Sequence, residues 1–186
     1  MKTKIKVKGE KVVYDGKFIS VKRIDFEGSN GKPGKWEAVE RKTFGKIVAI
    51  CAITNNNEVI LEKSFRIPIM SDIIELPAGL MDKKGESPKR AIKRELLEET
   101  GYEVKKVELI LDGPFNAGLS NCEMQIFFAQ NAEKIREPEL ENGEEIEVIK
   151  VPVKKLFEFL KRKHKNCKID IKTFSLIPFL QEKGIL

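Results

Sequence analysis

Apolar and polar positions divide the chain near residue 45. Before it, KVVYDG (11–16), KFISVKRIDF (17–26) and KWEAVERK (35–42) mix short apolar stretches with charge, broken by the loop EGSNGKPG (27–34). That pattern predicts short strands joined by polar turns. From residue 46 the texture changes. KIVAICAI (46–53) is a continuous apolar run, suited to a strand buried on both faces. EVILEKSF follows the turn-like TNNN and reads as the second arm of a hairpin, with DIIELPAG (72–79) next. A helix is expected at about 88–100, then strands at VKKVELIL, EMQIFFAQ and EIEVIKV, and two closing helices at VKKLFEFLKRKH and IKTFSLIPFLQEK. The expected organisation is an N-terminal β-rich piece, residues 1–44, followed by a mixed-sheet α/β domain, residues 45–186.

Composition narrows the function classes. The 186 residues are 41% hydrophobic and 34% charged, enough for one core beneath a charged surface. No apolar run approaches the roughly 18 residues of a membrane span, and the N-terminal MKTKIKVKGEK lacks the apolar stretch of a secretory signal. The expectation is a cytoplasmic protein without a membrane partner. Cys51, Cys122 and Cys167 are far apart, no C-x-x-C occurs, and the one histidine, His164, sits among lysines, which speaks against a zinc site or disulfide framework. Cys51, inside the apolar run, is expected in the core. The net charge of +6 is spread over mixed-sign stretches, so a nucleic-acid partner is not expected. GSNGKPGKW has the glycine spacing of no phosphate-binding loop and reads as a turn.

The chemistry gathers in ELPAGLMDKKGESPKRAIKRELLEETGY (75–102), where Glu86, Glu95, Glu98 and Glu99 fall within and just before one helix. Ser87 suits its N-cap, Pro88 its first position and Gly101 its left-handed C-terminus. At 100° per residue, Glu99 lies on the side of Ile92 and Leu96, and Glu95 borders it. A solvated stripe would lie opposite the apolar residues, whereas these carboxylates share the core-facing side. Carboxylates placed there must be paired, neutralised or bound to metal. Arg94 is placed to pair with Glu98 across one turn, which leaves Glu95 and Glu99 without a helical partner. Clustered hard oxygens with no histidine or thiolate suit Mg²⁺ or Mn²⁺.

GLMDKKGESPKRAIKRELLEETGY closely resembles the Nudix box, in which a glycine and a glutamate precede Arg-Glu-apolar-x-Glu-Glu-x-Gly. Glu86, Arg94, Glu95, Glu98, Glu99 and Gly101 occupy its places. Six residues rather than five separate Gly79 from Glu86, and the extra one is expected to lengthen the DKKG turn without rotating the helix. The resemblance implies a Nudix-type α/β/α sandwich and Mg²⁺-dependent hydrolysis of a diphosphate, with Mn²⁺ as the alternative ion. It implies metal contacts at Ala78, Glu86, Glu95, Glu98 and Glu99, with Glu95 and Glu99 the principal ligands.

Segments outside the box are similar to the ADP-ribose pyrophosphatase branch: ELPAG, EKSFRIP with Arg66, DGPFNAGLSNCE with Gly118 and Leu119, and ENGEEIEVIKVP. For that branch the implied catalytic residues are Arg94, Glu98 and a late glutamate, Glu144 or its neighbour Glu145. The implied substrate contacts are Phe18, Trp36, Arg41, Arg66, Glu75, Gly118 and Leu119, with Glu75 facing either substrate or the metal shell. Phe18 and Trp36 match the aromatic positions that sandwich adenine, in an N-terminal piece that also builds a homodimer. The implied substrate is ADP-ribose or a related nucleoside diphosphate derivative, cut to AMP and ribose 5-phosphate. Two rival expectations are a different group on the diphosphate, and an ADP-ribose sensor that does not cut. Asp72 and Asp112 read as turn residues, and Phe157 and Leu160 as core.

Overall fold

A computed structural model describes residues 4–42, 45–140 and 143–186. Residue 44, where the N-terminal piece was expected to end, lies outside the described residues, as do residues 1–3 at its start and residues 141 and 142 of ENGEEIEVIKVP. Three strands come first: β1 (Lys6–Asp15), β2 (Ile19–Glu27) and β3 (Pro33–Arg41). They form an antiparallel sheet of their own, in the order β1-β2-β3. Its first strand begins ahead of KVVYDG and is exposed along its whole length.

The apolar run becomes β4 (Ile47–Thr54), buried from Val48 onward because each face meets a different core. The elements that follow are β5 (Glu58–Arg66), β6 (Ser71–Glu75), β7 (Ala78–Leu80), α1 (Pro88–Thr100), β8 (Tyr102–Glu103), β9 (Glu108–Pro114), β10 (Glu123–Lys134), β11 (Ile146–Pro152), α2 (Leu156–Lys161), β12 (Cys167–Ile169) and α3 (Leu176–Glu182). The hairpin turn between β4 and β5 places Asn57 in the left-handed region, at φ 57°, a conformation asparagine tolerates. The main sheet runs β12-β6-β5-β4-β10-β8, with β7 on β4, β9 on β10 and β11 on β5. It is mixed: β10 lies parallel to β4 and β12 parallel to β6, while β5 pairs antiparallel with β6 and β11.

Alternation along β4 and β10 sends successive side chains to opposite faces. Val48 and Ile50 pack with Ile92 and Leu96 of α1, whereas Ala49 and Cys51 pack with Leu156, Leu160, Leu176 and Leu180 of α2 and α3. The result is the expected α/β/α sandwich. Cys51 is fully buried, and burial pushes its thiol up to about 12, so it is inert packing. Among the described residues no helix is long and apolar enough to cross a membrane.

Several expectations need correcting. The closing helices are short, each preceded by a 3₁₀ turn, at Val153–Lys155 and Ile171–Ser175. The lysine-rich KRKH stretch leaves the helix where Arg162 turns extended (ψ 139°). Leu160 is buried, but Phe157 is 44% exposed, because Leu156 and Leu160 claim the core-facing side of α2. Asp72 and Asp112 lie inside β6 and β9 rather than in turns, where they pair with Lys63 and Lys46.

Candidate active site

Helix α1 begins where Pro88 meets an extended Ser87 and ends at Gly101, whose φ is 76°. Ser87 makes no side-chain cap; its carbonyl instead accepts from the Arg90 and Ala91 amides. The extra residue of the box is absorbed in a turn closed by the Glu86 amide on the Lys83 carbonyl, with Gly85 at φ 80°. The helix therefore presents its expected face. Glu99 is buried beside Ile92 and Leu96, and its Oε2 accepts from the Ala78 amide at 3.1 Å. Gly79 lies so close to Glu95 that a Cβ there would meet Glu95 Cγ at 2.5 Å.

Arg94 is the hub of the box. Its guanidinium lies 3.1 Å from Glu86, 2.8 Å from Glu98, 3.0 Å from Glu95 and 3.3 Å from Asp82. The expectation that Glu95 has no partner on its helix is thus corrected: a guanidinium long enough to curl sideways reaches the adjacent residue as well as the next turn. The hydrogen bond from Arg94 holds the Glu86 carboxyl below its usual range, and in return the carboxylates raise Arg94. Burial outweighs Arg94 at Glu95, pushing it up to about 7, with the Glu98 charge adding to the rise. Glu99 is raised too, by burial first and then by the charges of Glu62 and Glu95.

Beside this cluster a cavity of about 410 Å³ brings together Arg41, Arg66, Glu75 and Ala78. Arg66 Nε reaches Glu75 at 2.7 Å, and the Ser64 hydroxyl donates to the same oxygen at 3.0 Å. The loop 115–122 docks on β3: Trp36 Nε1 donates to the Gly118 carbonyl at 3.2 Å, and the Val39 amide to the Leu119 carbonyl at 2.8 Å. Trp36 stays half exposed and Phe18 more so. They are not neighbours. The Lys42 amide donates to the Phe18 carbonyl, which puts Phe18 six residues along β3 from Trp36, about 20 Å. Two ring contacts of roughly 4.5–7 Å each do not bridge that gap, so one chain alone does not sandwich a base between them. Glu144 and Glu145 line a second cleft of about 480 Å³ with Lys63, Phe65 and Asp72. The Glu144 charge reaches Glu62.

A family model described as NUDIX domain matches residues 43–171. The chain belongs to the Nudix family. It is 34% identical to the ADP-ribose pyrophosphatase of Bacillus subtilis, over 94% of this chain and 91% of that protein. It is also 34% identical to the ADP-sugar pyrophosphatase of Mus musculus, over 78% and 72% respectively. The crystal structure of an ADP compounds hydrolase matches with a TM-score of 0.82, covering 99% of this chain and 98% of that one at 21% identity. That likeness supports the fold.

For a Nudix hydrolase the donor set is apt. Carboxylates without histidine or cysteine suit a hard divalent cation. Among the described residues no three such side chains already converge as a cage; Arg94 draws Glu86 and Glu98 to itself. Glu99, by contrast, is buried with no cation paired to it, and at the half-buried Glu95 burial outweighs the one cation nearby, so these two carboxyls are the ones a divalent ion would compensate most. Residues not foreseen from the sequence are Phe115, Asp170, Lys172 and Thr173, which line the cavity, and Glu62. Lys172 sits over the Phe115 ring at 4.6 Å and pairs with Asp170. Only the third, tertiary dimension reveals them: IKTFS reads locally as a helix start, and Glu62 as the polar end of an apolar strand.

Proposed function

We propose that this Nudix hydrolase cuts the diphosphate of ADP-ribose to give AMP and ribose 5-phosphate. The observation that carries the reading is the meeting of two unlike surfaces. The glutamate cluster of α1 borders a cavity in which Arg41 and Arg66 offer fixed positive charge for a diphosphate. The Bacillus subtilis and mouse relatives, by their names, act on such compounds.

Glu95 and Glu99 would hold Mg²⁺, or Mn²⁺ as the alternative, with Ala78, Glu86 and Glu98 beside them. When bound, the ion neutralises the diphosphate and acidifies water. Arg66 grips a phosphate and is itself aimed by Glu75. Arg94 fixes Glu86 and Glu98 in place. Water attacks one phosphorus, the bridging P–O bond breaks, and each half leaves as a phosphate monoester. Glu144, or its neighbour Glu145 in the same cleft, takes the proton from that water. Trp36 stacks on the adenine, its indole aimed by Gly118, and Leu119 packs at the same loop. Phe18 supplies the opposite face from a second copy of the chain, a homodimer built on the exposed N-terminal sheet. The cytoplasm is the expected setting, since three free, separated cysteines suit a reducing compartment.

Product analysis tests this. The purified protein is incubated with ADP-ribose, ADP-glucose, GDP-mannose, NADH and diadenosine polyphosphates, with Mg²⁺ or with EDTA. AMP and ribose 5-phosphate, formed only with Mg²⁺ and fastest from ADP-ribose, are expected. Faster cleavage of another compound discards the assigned substrate, and tight ADP-ribose binding without cleavage discards the hydrolase.

A further inference from the structure

Glu62 lies outside the Nudix box, and no role above uses it. It stands on β5 two residues after Ile60, on the same face, and Ile60 packs with Ile92 and Leu96 of α1. Only 2% of Glu62 is exposed. Its carboxyl group shares a hydrogen bond with that of Glu99. Its Oε1 has no hydrogen-bond partner. A buried, half-satisfied carboxyl is among the costlier groups a core can hold.

Glu99 faces it from α1, where their shared hydrogen bond favours the charged form of Glu62, but Glu75 stands directly opposite on β6 and the Glu144 charge reaches it from the segment before β11, and both of these oppose that form. The cation that acts on it is Arg66, whose guanidinium is engaged by Glu75 at 2.7 Å. For packing alone a leucine would serve better at this position, because it would fill the space and leave no orphan oxygen. An unpartnered buried carboxylate oxygen beside a carboxylate cluster is a donor suited to a hard divalent cation.

We propose that Glu62 is a further carboxylate of the cation centre, and that it and Glu99 hold one divalent ion between β5 and α1. The centre is then built from both sides. Helix α1 supplies Glu95 and Glu99, and the sheet supplies Glu62 from the opposite wall. The Ala78 amide fixes Glu99 Oε2 and so orients that carboxylate toward the strand. This rests on the reading of Glu99 as a cation ligand.

The test measures Mn²⁺ binding by calorimetry and thermal melting in EDTA or Mn²⁺, for wild type, Glu62→Leu, Glu62→Gln and Glu99→Gln. Glu62→Leu is expected to melt at or above the wild-type temperature in EDTA, since it removes an uncompensated polar group. Both Glu62 variants are expected to bind Mn²⁺ roughly 10- to 100-fold more weakly, the range for residues that support a metal site, and to gain less stability from it. Unchanged Mn²⁺ affinity in the Glu62 variants overturns the proposal. So does a loss of EDTA stability in both, because the carboxyl would then be a structural group. Glu99→Gln separates the two levels: if it too binds Mn²⁺ like wild type, the cation reading of α1 fails, whereas if it alone loses affinity, that reading stands and Glu62 is excluded.

Discussion

Replacing Gly79 by alanine adds one methyl group and removes no charge, so it separates where Glu95 sits from whether Glu95 is present. Gly79 pairs with Val48 in the β4–β7 ladder, and its backbone is not among those with positive φ, so alanine fits the conformation. The new Cβ would meet Glu95 Cγ at 2.5 Å, where ordinary contact begins at 3.4 Å, and the carboxyl group lies closer still. The side chain must therefore retreat by about 0.9 Å or more. Its far end is flexible and the backbone can stay, so the fold survives. Stability changes by about 1 kcal/mol or less, because the gain from a stiffer unfolded chain offsets part of the strain. That corresponds to a melting shift within about 4 °C for a chain of this size. A displacement near 1 Å is the scale at which misplaced catalytic groups lose about 100-fold in rate. The assay is kcat for ADP-ribose at saturating Mg²⁺, beside a thermal melt in EDTA. About 100-fold lower kcat with a near-wild-type melt is expected. Wild-type kcat in folded Gly79→Ala would refute the reasoning, since Glu95 would not be acting from the place where it sits.

Glu99→Gln is expected to lower kcat by at least about 100-fold, a loss of several kcal/mol of charge stabilisation, while leaving the fold intact by circular dichroism; near-normal turnover would sink its assignment as a ligand. Trp36→Ala is expected to raise KM for ADP-ribose by about 5- to 150-fold, matching the 1–3 kcal/mol of base stacking, with kcat much less affected; a KM unchanged within error would place adenine elsewhere. Stability of the metal-free protein is expected to fall as pH rises from about 4.5 through about 7. Glu95, raised from 4.5 to about 7, holds its proton longer in the folded than in the unfolded chain, so the native state binds more protons in that window and loses stability as they leave. Glu62 and Glu99 are raised as well and act in the same direction. Melting temperatures at pH 5 and pH 8, in EDTA and in Mg²⁺, check this: saturating Mg²⁺ should remove the drop, and a flat or rising profile in EDTA would contradict the sign.

What the chain order alone made legible was local. The limits of α1 followed from Pro88 and Gly101, and the burial of Glu99 from its angular distance to Ile92 and Leu96, because helix geometry repeats without reference to the rest of the fold. The double-faced burial of β4 followed from an unbroken apolar run. The late helices were overextended for the same reason: apolar spacing continues through VKKLFEFL and IKTFSLI, but the first turns tighten to 3₁₀ geometry against the sheet. A helical wheel gives Arg94 one partner where it has four, since angular position ignores the length of a guanidinium arm. Glu62 is hidden in the sequence because a glutamate after VIL looks like the end of burial. Only the packing of β5 on α1 shows that burial continues past it. The distance between Phe18 and Trp36 needed a strand register, which no local pattern supplies.

The four box glutamates and Glu62 divide by what compensates them, and the division bears on the chemistry. Glu95 and Glu99, one turn apart, are like charges that cost an isolated helix roughly 0.2–0.5 kcal/mol, a small sum beside the burial of either. Arg94 lies within hydrogen-bonding reach of Glu86 and Glu98 and pulls Glu86 firmly into its charged form. It also lies 3.0 Å from Glu95, and yet burial wins there and the group rises to about 7. Among the described residues no arginine forms an ion pair with Glu99 or Glu62; burial raises both, Glu62 and Glu95 add to the rise at Glu99, and Glu75 and Glu144 add to it at Glu62. A single guanidinium therefore satisfies one half of the cluster and leaves the other half short of positive charge. The unsatisfied half lies next to the cavity that carries Arg41 and Arg66. That position, rather than the count of glutamates, is why Glu95 and Glu99 are the better candidates for principal ligands and why Glu86 and Glu98 serve as their braced neighbours.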